Sequence, residues 1–207
     1  LGHMGFVTGL LDAVGAPEAA RKKLLACLRD KNVHELQRLS AAAGLSRQGI
    51  DALCRLTGLS GPWEAVLDAA DELALNASMG DALNELRSLC ASLEAEGKTA
   101  QAKLDLSLVN DLDYYNGLVM QGYLAGLPRA VLRGGRYDPL IAQFTPGARA
   151  IGFALYLDEL ERLSAPPAVE SGDGGRVMLN VALPKGRLGD KVYDLLAGVG
   201  YGCPENY

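Results

Sequence analysis

The stretch that decides the fold is residues 103–117, Lys-Leu-Asp-Leu-Ser-Leu-Val-Asn-Asp-Leu-Asp-Tyr-Tyr-Asn-Gly. In its first half Leu104, Leu106 and Leu108 alternate with Lys, Asp and Ser, which is the two-residue period of a half-buried strand. The residues before this stretch show helical spacing instead. The change of period predicts an α+β fold, with a helical part followed by β structure.

Beyond the decisive stretch the sequence predicts antiparallel strands. Residues 114–124 and 129–132 are rich in aromatic and aliphatic side chains, and Ala-Gly-Leu-Pro at 125–128 is turn chemistry for a hairpin. Residues 150–157 predict a further strand, followed by a short helix through Leu163.

Upstream of the decisive stretch, residues 15–100 predict a helical insertion or bundle. Asn32 stands three residues before Glu35, which is the spacing of a capping box at a helix N-terminus. The predicted helices run from Ala19 to Leu28, from Asn32 to Gly44, from Ser46 to Leu56, from Trp63 to Leu73, and along Leu83, Leu86, Cys90 and Leu93 to about Gly97.

Composition argues against several classes of site. The 207 residues are 49% apolar, enough for one substantial domain. The four cysteines, Cys27, Cys54, Cys90 and Cys203, lack the close pairing of a zinc or redox motif and are predicted to be reduced packing residues. With only His3 and His34 in the chain, we expect no metal site, no cofactor and no Ser-His catalytic pair.

Charge and hydropathy bear on partners and location. The net charge of -5 argues mildly against nucleic acid as the main partner, because nucleic-acid binders usually present a basic face. The chain has no run of about eighteen apolar residues and no basic-then-apolar N-terminus, so we expect a cytoplasmic protein without a membrane partner.

A boundary is predicted near residue 164. Residues 164–177 are rich in Pro, Gly and Ser, as linkers are, and residues 178–207 predict a strand, a Pro-Lys-Gly-Arg turn and a helix. This last unit is too short for a core of its own. By itself the turn is better explained as a plain connection between a strand and a helix.

Three polar segments are candidates for a binding site: residues 111–117, 134–138 and 151–155. Tyrosines at a strand entrance, paired glycines and a glycine within an apolar strand each suit a small ligand. Taken singly, the first segment is better explained by packing, the second is equally a tight turn, and the third is explained as well by a close backbone approach.

Their order and spacing are more specific. Asp-Leu-Asp-Tyr-Tyr-Asn-Gly, Gly-Gly-Arg-Tyr-Asp-Pro-Leu and Ala-Ile-Gly-Phe-Ala-Leu resemble the histidine-specific motifs and the third class II motif of histidyl-tRNA synthetases. The opening Leu-Gly-His-Met-Gly-Phe resembles the strand after their second class II motif. The resemblance covers residues 1–163 and implies a partial class II aminoacyl-tRNA synthetase-like antiparallel sheet whose N-terminal third is missing.

Two positions depart from the synthetase pattern. Asn110 and Asp111 stand where the family has Arg-Gly, and Glu159 stands where its third motif has an ATP-contacting arginine. Phosphoryl transition states need fixed positive charge, which arginine supplies as an always ionised donor fork. A carboxylate beside a triphosphate would instead cost roughly several kcal/mol. We therefore expect no efficient ATP-dependent activation of histidine.

The resemblance implies that the amino-acid pocket is kept. It assigns contacts with the histidine side chain to Tyr115 and Tyr137, because a phenol offers an apolar face and a hydroxyl to an imidazole. It assigns the shape of the pocket to Leu112, Gly134, Gly135 and Gly152, and supporting positions to Arg136 and Tyr114. Binding without activation is the pattern of the histidyl-tRNA synthetase-like regulatory subunits of ATP phosphoribosyltransferase.

This resemblance implies a histidine-sensing, non-catalytic protein in the first step of histidine biosynthesis. Its implied partners are histidine and the catalytic subunit, or a fused catalytic domain, with homo-oligomers at full length and no tRNA. The tail from Met178 resembles the start of the catalytic subunit, which implies a fusion and makes Lys185, Gly186 and Arg187 candidate nucleotide contacts. We expect the chain as given not to carry out the transfer. Two alternatives stay open: a working histidyl-tRNA synthetase, and part of a fused catalytic phosphoribosyltransferase.

Overall fold

The computed structural model describes residues 1–109 and 115–162. Several predictions lie outside the described residues: those for Asn110, Asp111, Leu112, Tyr114, Lys185, Gly186, Arg187, the linker at 164–177 and the unit at 178–207. The chain divides into two compact units, and from the described residues the first contains 1–109, 115–122 and 132–155. From the described residues, the second contains 123–131 and 156–162.

Helices make up most of the first unit. They are α1 (Met4–Ala13), α2 (Glu18–Arg29), α3 (Val33–Ala42), α4 (Arg47–Thr57), α5 (Trp63–Asp71), α6 (Ala77–Ala95) and α7 (Asp138–Ala142), with a 3-10 turn at Thr99–Gln101. Side-chain oxygens cap three of them by accepting a backbone N–H three residues on. These caps are Asn32 on Glu35, Ser46 on Gly49 and Asn76 on Met79. The predicted helices are thus confirmed, including two of their caps.

The strands of the first unit form two antiparallel sheets. They are β1 (Gly2–His3), β2 (Ser60–Gly61), β3 (Leu104–Asp105), β4 (Leu118–Gly122), β5 (Leu132–Arg136) and β6 (Ile151–Leu155). Among the described residues the larger sheet has the order β1-β4-β5-β6, and β2 pairs with β3. The predicted antiparallel sheet is therefore present.

One hydrophobic cluster joins the helices to the sheet. Phe6, Leu28, Leu53 and Leu83, from four different helices, are fully buried in it together with Val119 of β4. Cys27 and Cys90 lie in the same cluster with free thiols, and burial raises the pKa of both, as packing residues require. The helical residues and the strands thus share one core.

The prediction of a strand through Leu104, Leu106 and Leu108 is wrong after Asp105. Asp105 Oδ1 accepts the backbone N–H of Ser107 (3.0 Å) and its hydroxyl (2.6 Å), which bends the chain away from the ladder. Leu106 and Ser107 are both buried although they are neighbours, so the alternating letters do not correspond to alternating faces.

The opening residues also differ from expectation. Only Gly2 and His3 pair as a strand, with Val119 and Leu118, and α1 begins at once at Met4. The Met4 N–H donates to the Gly117 carbonyl oxygen (2.8 Å), which joins the first turn of α1 to the chain just before β4. The strand resemblance therefore holds for two residues.

The predicted hairpin exists with shifted boundaries. Strands β4 and β5 pair from Val119 with Gly135 to Gly122 with Leu132, and residues 123–131 connect them, a longer connection than the predicted turn at 125–128. The segment from Gly134 to Arg136 lies in β5, so its reading as a tight turn is wrong.

The second unit includes one helix among its described residues, α8 (Leu157–Leu160), as the sequence predicted after the last strand. The Tyr156 N–H donates to the Val131 carbonyl oxygen (2.8 Å), which ties the two parts of this unit together. Among the helices described in both units, none has the length and apolarity to cross a bilayer.

Candidate functional site

Two tyrosines stand over two glycines on one face of the sheet, here called the tyrosine face. Gly135 of β5 pairs directly with Gly152 of β6, so both positions point to the same side. The space that a β-carbon would take at Gly135 is bordered by the Tyr115 ring at 2.6 Å, and that at Gly152 by the Tyr137 hydroxyl at 3.1 Å. Each tyrosine thus packs on a position where a side chain is missing.

The two rings also contact each other. Their centroids are 6.4 Å apart and their planes are almost perpendicular, at 89°, which is a favourable edge-to-face geometry. Tyr115 lies ahead of β4 and Tyr137 directly follows β5, so neighbouring ends of two paired strands bring the rings together. The structure therefore groups four of the predicted residues: Tyr115, Tyr137, Gly135 and Gly152.

Gly134 has a different function in the sheet. A β-carbon at this position would collide with the Gly152 carbonyl oxygen and lie 2.6 Å from Phe153 Cβ. The backbones of β5 and β6 therefore approach too closely for any side chain here. Gly134 sets the spacing of the strands that carry the tyrosine face.

Arg136 is directed to the opposite face of the sheet, here called the helix face because α6 covers it. Alternation along β5 separates it from Gly135, and its Nη1 donates to both carboxylate oxygens of Glu85 on α6 (2.8 and 3.0 Å). Its Nε lies 3.4 Å from Asp138 Oδ2. Arg136 thus has the position of a support behind the tyrosine face.

His3 completes a charged cluster on the helix face. Its Nε2 lies 2.8 Å from the second Glu85 oxygen, while its buried Nδ1 has no hydrogen-bond partner. The neutral ring with the proton on Nε2 suits this geometry, because protonation would leave a buried N–H without an acceptor. Burial lowers the pKa of His3, the bond to Glu85 opposes this, and Arg136 lowers it further.

The Glu85 carboxylate connects the cluster. Burial alone would raise its pKa, but hydrogen bonds from Arg136 and His3 outweigh burial and hold the pKa below its usual range. An open groove of about 360 Å³ lies beside these three side chains, between α6 and the sheet. Apolar residues complete its wall, among them Leu86 and Leu89 of α6 and Leu118 and Ile151 of the sheet.

In the second unit, Glu159 is buried (4% exposed) and pairs with two arginines. Arg129 Nη1 donates to its Oε1 (3.2 Å), and Arg162 Nη1 forms an ion pair with its Oε2 at 3.3 Å, outside hydrogen-bond geometry. From the sequence alone, the Glu159 carboxylate was predicted to repel a triphosphate. Because two guanidinium groups compensate this carboxylate, its repulsion of a triphosphate is weaker than predicted.

Sequence reasoning missed Glu85, His3 and Arg129 as members of these clusters. Glu85 lies 51 residues before Arg136 and on a helix, so no local spacing could relate the two. The signal available for His3 was Gly5 two residues on, because the space that a β-carbon would take there is bordered by the His3 ring at 3.0 Å. Within residues 1–109 and 115–162, no three His, Cys, Asp or Glu side chains are grouped as a metal site would need.

The sheet with its helical covering and tyrosine face defines an α+β domain of the class II aminoacyl-tRNA synthetase type. The sequence model of the family described as histidyl-tRNA synthetase matches residues 1–160, and the chain belongs to this family. Within the family, the chain is similar to curated proteins named ATP phosphoribosyltransferase regulatory subunit. The one from Geobacter sulfurreducens is 36% identical over 172 residues, 83% of this chain and 39% of that protein.

A second relative of this name, from Syntrophotalea carbinolica, is 31% identical over 207 residues, 98% of this chain and 47% of that protein. The chain thus spans less than half the length of these relatives. A solved structure from Bacillus halodurans is described as an ATP phosphoribosyltransferase regulatory subunit/histidyl-tRNA synthetase. It has a TM-score of 0.71 and 33% identity, and the match covers 79% of this chain and 43% of that one.

We predict that Gly135→Ala lowers the free energy of unfolding by about 1–3 kcal/mol, because the new methyl group would lie 2.6 Å from both the Tyr115 ring and the Leu118 carbonyl oxygen. The backbone oxygen cannot rotate away, so the strain cannot be relieved by a side chain alone. Urea unfolding measures the change. Gly80→Ala in α6 is the matched control, because nothing lies within 4 Å of its β-carbon position. Equal effects of the two substitutions would contradict the close packing at Gly135.

We predict that the folded state loses stability as the pH falls from about 7 towards 5.5, because the unfolded chain takes up a proton on His3 near its usual pKa of about 6.5. In the folded state the His3 pKa is lowered, so the ring stays neutral in this pH range while the unfolded chain gains the proton. This difference destabilises the folded state relative to its stability at pH 7. The Glu85 pKa is also lowered, but its contribution is lost only at lower pH. His3→Gln should flatten the dependence measured by urea unfolding. The exposed His34, changed to Gln, is the control and should leave the slope as it is.

Proposed function

We propose that this chain is part of a histidine-sensing regulatory subunit of ATP phosphoribosyltransferase, acting in the first step of histidine biosynthesis without catalysing it. The observation that carries the proposal is the tyrosine pair packed on Gly135 and Gly152. The relatives from Geobacter sulfurreducens and Syntrophotalea carbinolica, both named ATP phosphoribosyltransferase regulatory subunit, support it. The catalytic subunit is the proposed partner.

The tyrosine face has the chemistry that histidine needs. An imidazole presents an apolar ring with one donor and one acceptor nitrogen, and a phenol matches it with a ring face and a hydroxyl that can donate or accept. The glycines beneath keep the rings close to the sheet, so a small planar ligand could lie against them. Leu112 and Tyr114 belong to the proposed pocket through the family resemblance, Gly134 shapes it through the spacing of β5 and β6, and Arg136 supports it from the helix face.

The main alternative is a working histidyl-tRNA synthetase, and the Glu159 cluster makes it worth testing. Two arginines around one carboxylate leave the second unit with cationic side chains near the position of the family's third-motif arginine. However, both guanidinium groups are engaged with Glu159. The loss of the other family arginine, at Asn110, still argues for binding without activation.

The tail adds a further proposal, that residues 178–207 begin a catalytic domain fused through a linker at 164–177, with the regulatory domain ending at 163. Lys185, Gly186 and Arg187 would then contact nucleotide phosphates once that domain is complete. A relative named as a regulatory subunit aligns with 98% of this chain, so a tail belonging to the regulatory subunit itself is the competing interpretation. Part of a fused catalytic enzyme, homo-oligomers at full length and a cytoplasmic location stay predictions.

We predict that the full-length protein binds histidine. Tyr137→Ala should raise the dissociation constant of histidine by roughly tenfold or more, because it removes a ring contact and a hydroxyl. Isothermal titration calorimetry measures both. Tyr123→Ala is the matched control, because Tyr123 is 63% exposed and is not one of the residues of the tyrosine face. Equal affinity of the wild type and Tyr137→Ala would remove Tyr137 from the site.

We predict that the same protein shows no histidine-dependent exchange of pyrophosphate into ATP, because the charge that stabilises the transferred phosphate is missing at Asn110. Radiolabelled pyrophosphate exchange, with a histidyl-tRNA synthetase as positive control, measures it. Robust exchange would establish the synthetase alternative.

A further inference from the structure

We infer that Glu85 and Arg136 form a positioning link through which α6 sets the geometry of the tyrosine pair on the other face of the sheet. The link itself consists of contacts between described side chains. Its use in sensing rests on the proposed function, because it assumes that histidine binds at the tyrosine face.

Contacts on several sides hold the Arg136 side chain in place. Its Nη1 donates to both oxygens of Glu85, and its Nε lies 3.4 Å from Asp138. Its guanidinium also occupies the space where a β-carbon would lie at Gly117. The side chain therefore contacts α6, α7 and the backbone just before β4 at once, and it cannot move without moving at least one of them.

The backbone of Arg136 is linked directly to both tyrosines. The Arg136 carbonyl oxygen accepts the Asn116 N–H (3.1 Å), and Asn116 follows Tyr115. Tyr137 follows Arg136, and its N–H donates to the Ala150 carbonyl oxygen (2.9 Å). Arg136 is thus hydrogen-bonded to the residue after Tyr115 and precedes Tyr137 in the chain, so it adjoins both rings of the tyrosine face.

Asp138, the residue after Tyr137, belongs to the same set of contacts. Asp138 Oδ1 accepts the Ala150 N–H (2.9 Å), while its other oxygen is the one near Arg136 Nε. The carboxylate thus connects Arg136 to the residue that enters β6, next to Ile151 and Gly152. A displacement of Arg136 would therefore reach Tyr137 from both its neighbours.

At Glu85 the contact between α6 and the sheet is charged and borders an open groove. The groove of about 360 Å³ separates α6 from the sheet around Glu85, so the charged contact, rather than continuous packing, holds the helix to β5 here. Glu85 is only half-buried, and His3 is its other partner on the sheet side. Interfaces of this kind are among the elements that open locally at low cost.

The experiment compares Glu85→Gln and Arg136→Lys with Arg87→Gln in the full chain. Arg87 is the matched control, because it lies on the same helix and pairs with Asp71 of α5 rather than with the sheet. Hydrogen exchange of the backbone amides in 115–119 and 134–137 is measured without ligand. We expect exchange about tenfold faster in both test variants, and no change in Arg87→Gln, because local opening controls exchange.

A second measurement adds histidine to the longest natural form of the protein. In the wild type we expect histidine to slow exchange in the part of α6 around Glu85, and in Glu85→Gln we expect this slowing to be lost, because coupling between two sites is reciprocal. The dissociation constant of histidine should rise at least about threefold in Glu85→Gln and remain unchanged in Arg87→Gln. A contact that only stabilised the fold would not make α6 respond to a ligand on the opposite face.

The outcomes separate the two proposals. Unchanged exchange at 115–119 and 134–137 in both Glu85→Gln and Arg136→Lys would overturn the link, whatever histidine does. Faster exchange with no histidine binding in the wild type would sustain the link and remove the proposed function. Histidine binding that leaves α6 exchange unaltered in the wild type would overturn the coupling of α6 to the ligand site.

Discussion

The close approach of β5 and β6 is the constraint on which the rest of the sheet depends. At Gly134 the two backbones leave no space for a β-carbon, and at Gly135 and Gly152 the space is taken by aromatic rings. Three glycines in neighbouring strands would ordinarily weaken a sheet, because glycine loses the most backbone freedom on folding. Here the two tyrosines pack on two of them and cover the backbone that the missing side chains would expose.

The sequence predicted the elements that depend on local rules. Helix caps at Asn32 and Ser46 involve neighbouring residues only, so their spacing is visible in one dimension. The strand expected through Leu108 failed because Asp105 binds Ser107 with its side chain, a local competition that periodicity does not register. The grouping of the tyrosines followed from a family resemblance, whereas the residues of 111–117 alone favoured packing.

Charge partners were the least predictable part of the structure. Glu85 and Arg136 meet across the sheet and helix layers, and only the tertiary fold brings them together. The same holds for the contact of Glu159 with Arg129, 30 residues earlier, whereas Arg162 is only three residues on in the sequence. A carboxylate in the sequence has a formal charge, but its influence on a ligand depends on which cations neutralise it. The replacement of the family's arginine by Glu159 therefore rearranges a cluster of charged groups rather than simply reversing the charge.

Asn76 fixes one end of α6 and thereby limits the motions open to that helix. Its Oδ1 caps the helix at Met79, while its Nδ2 donates to the Gly9 carbonyl oxygen of α1 (2.8 Å). Sliding of the helix along its axis would break this bond, whereas a tilt with Asn76 as its pivot would keep it. Glu85 lies about 13 Å along the helix from the pivot at the usual rise per residue. A tilt of roughly 5° would displace its carboxylate by about 1 Å, enough to lose a hydrogen bond.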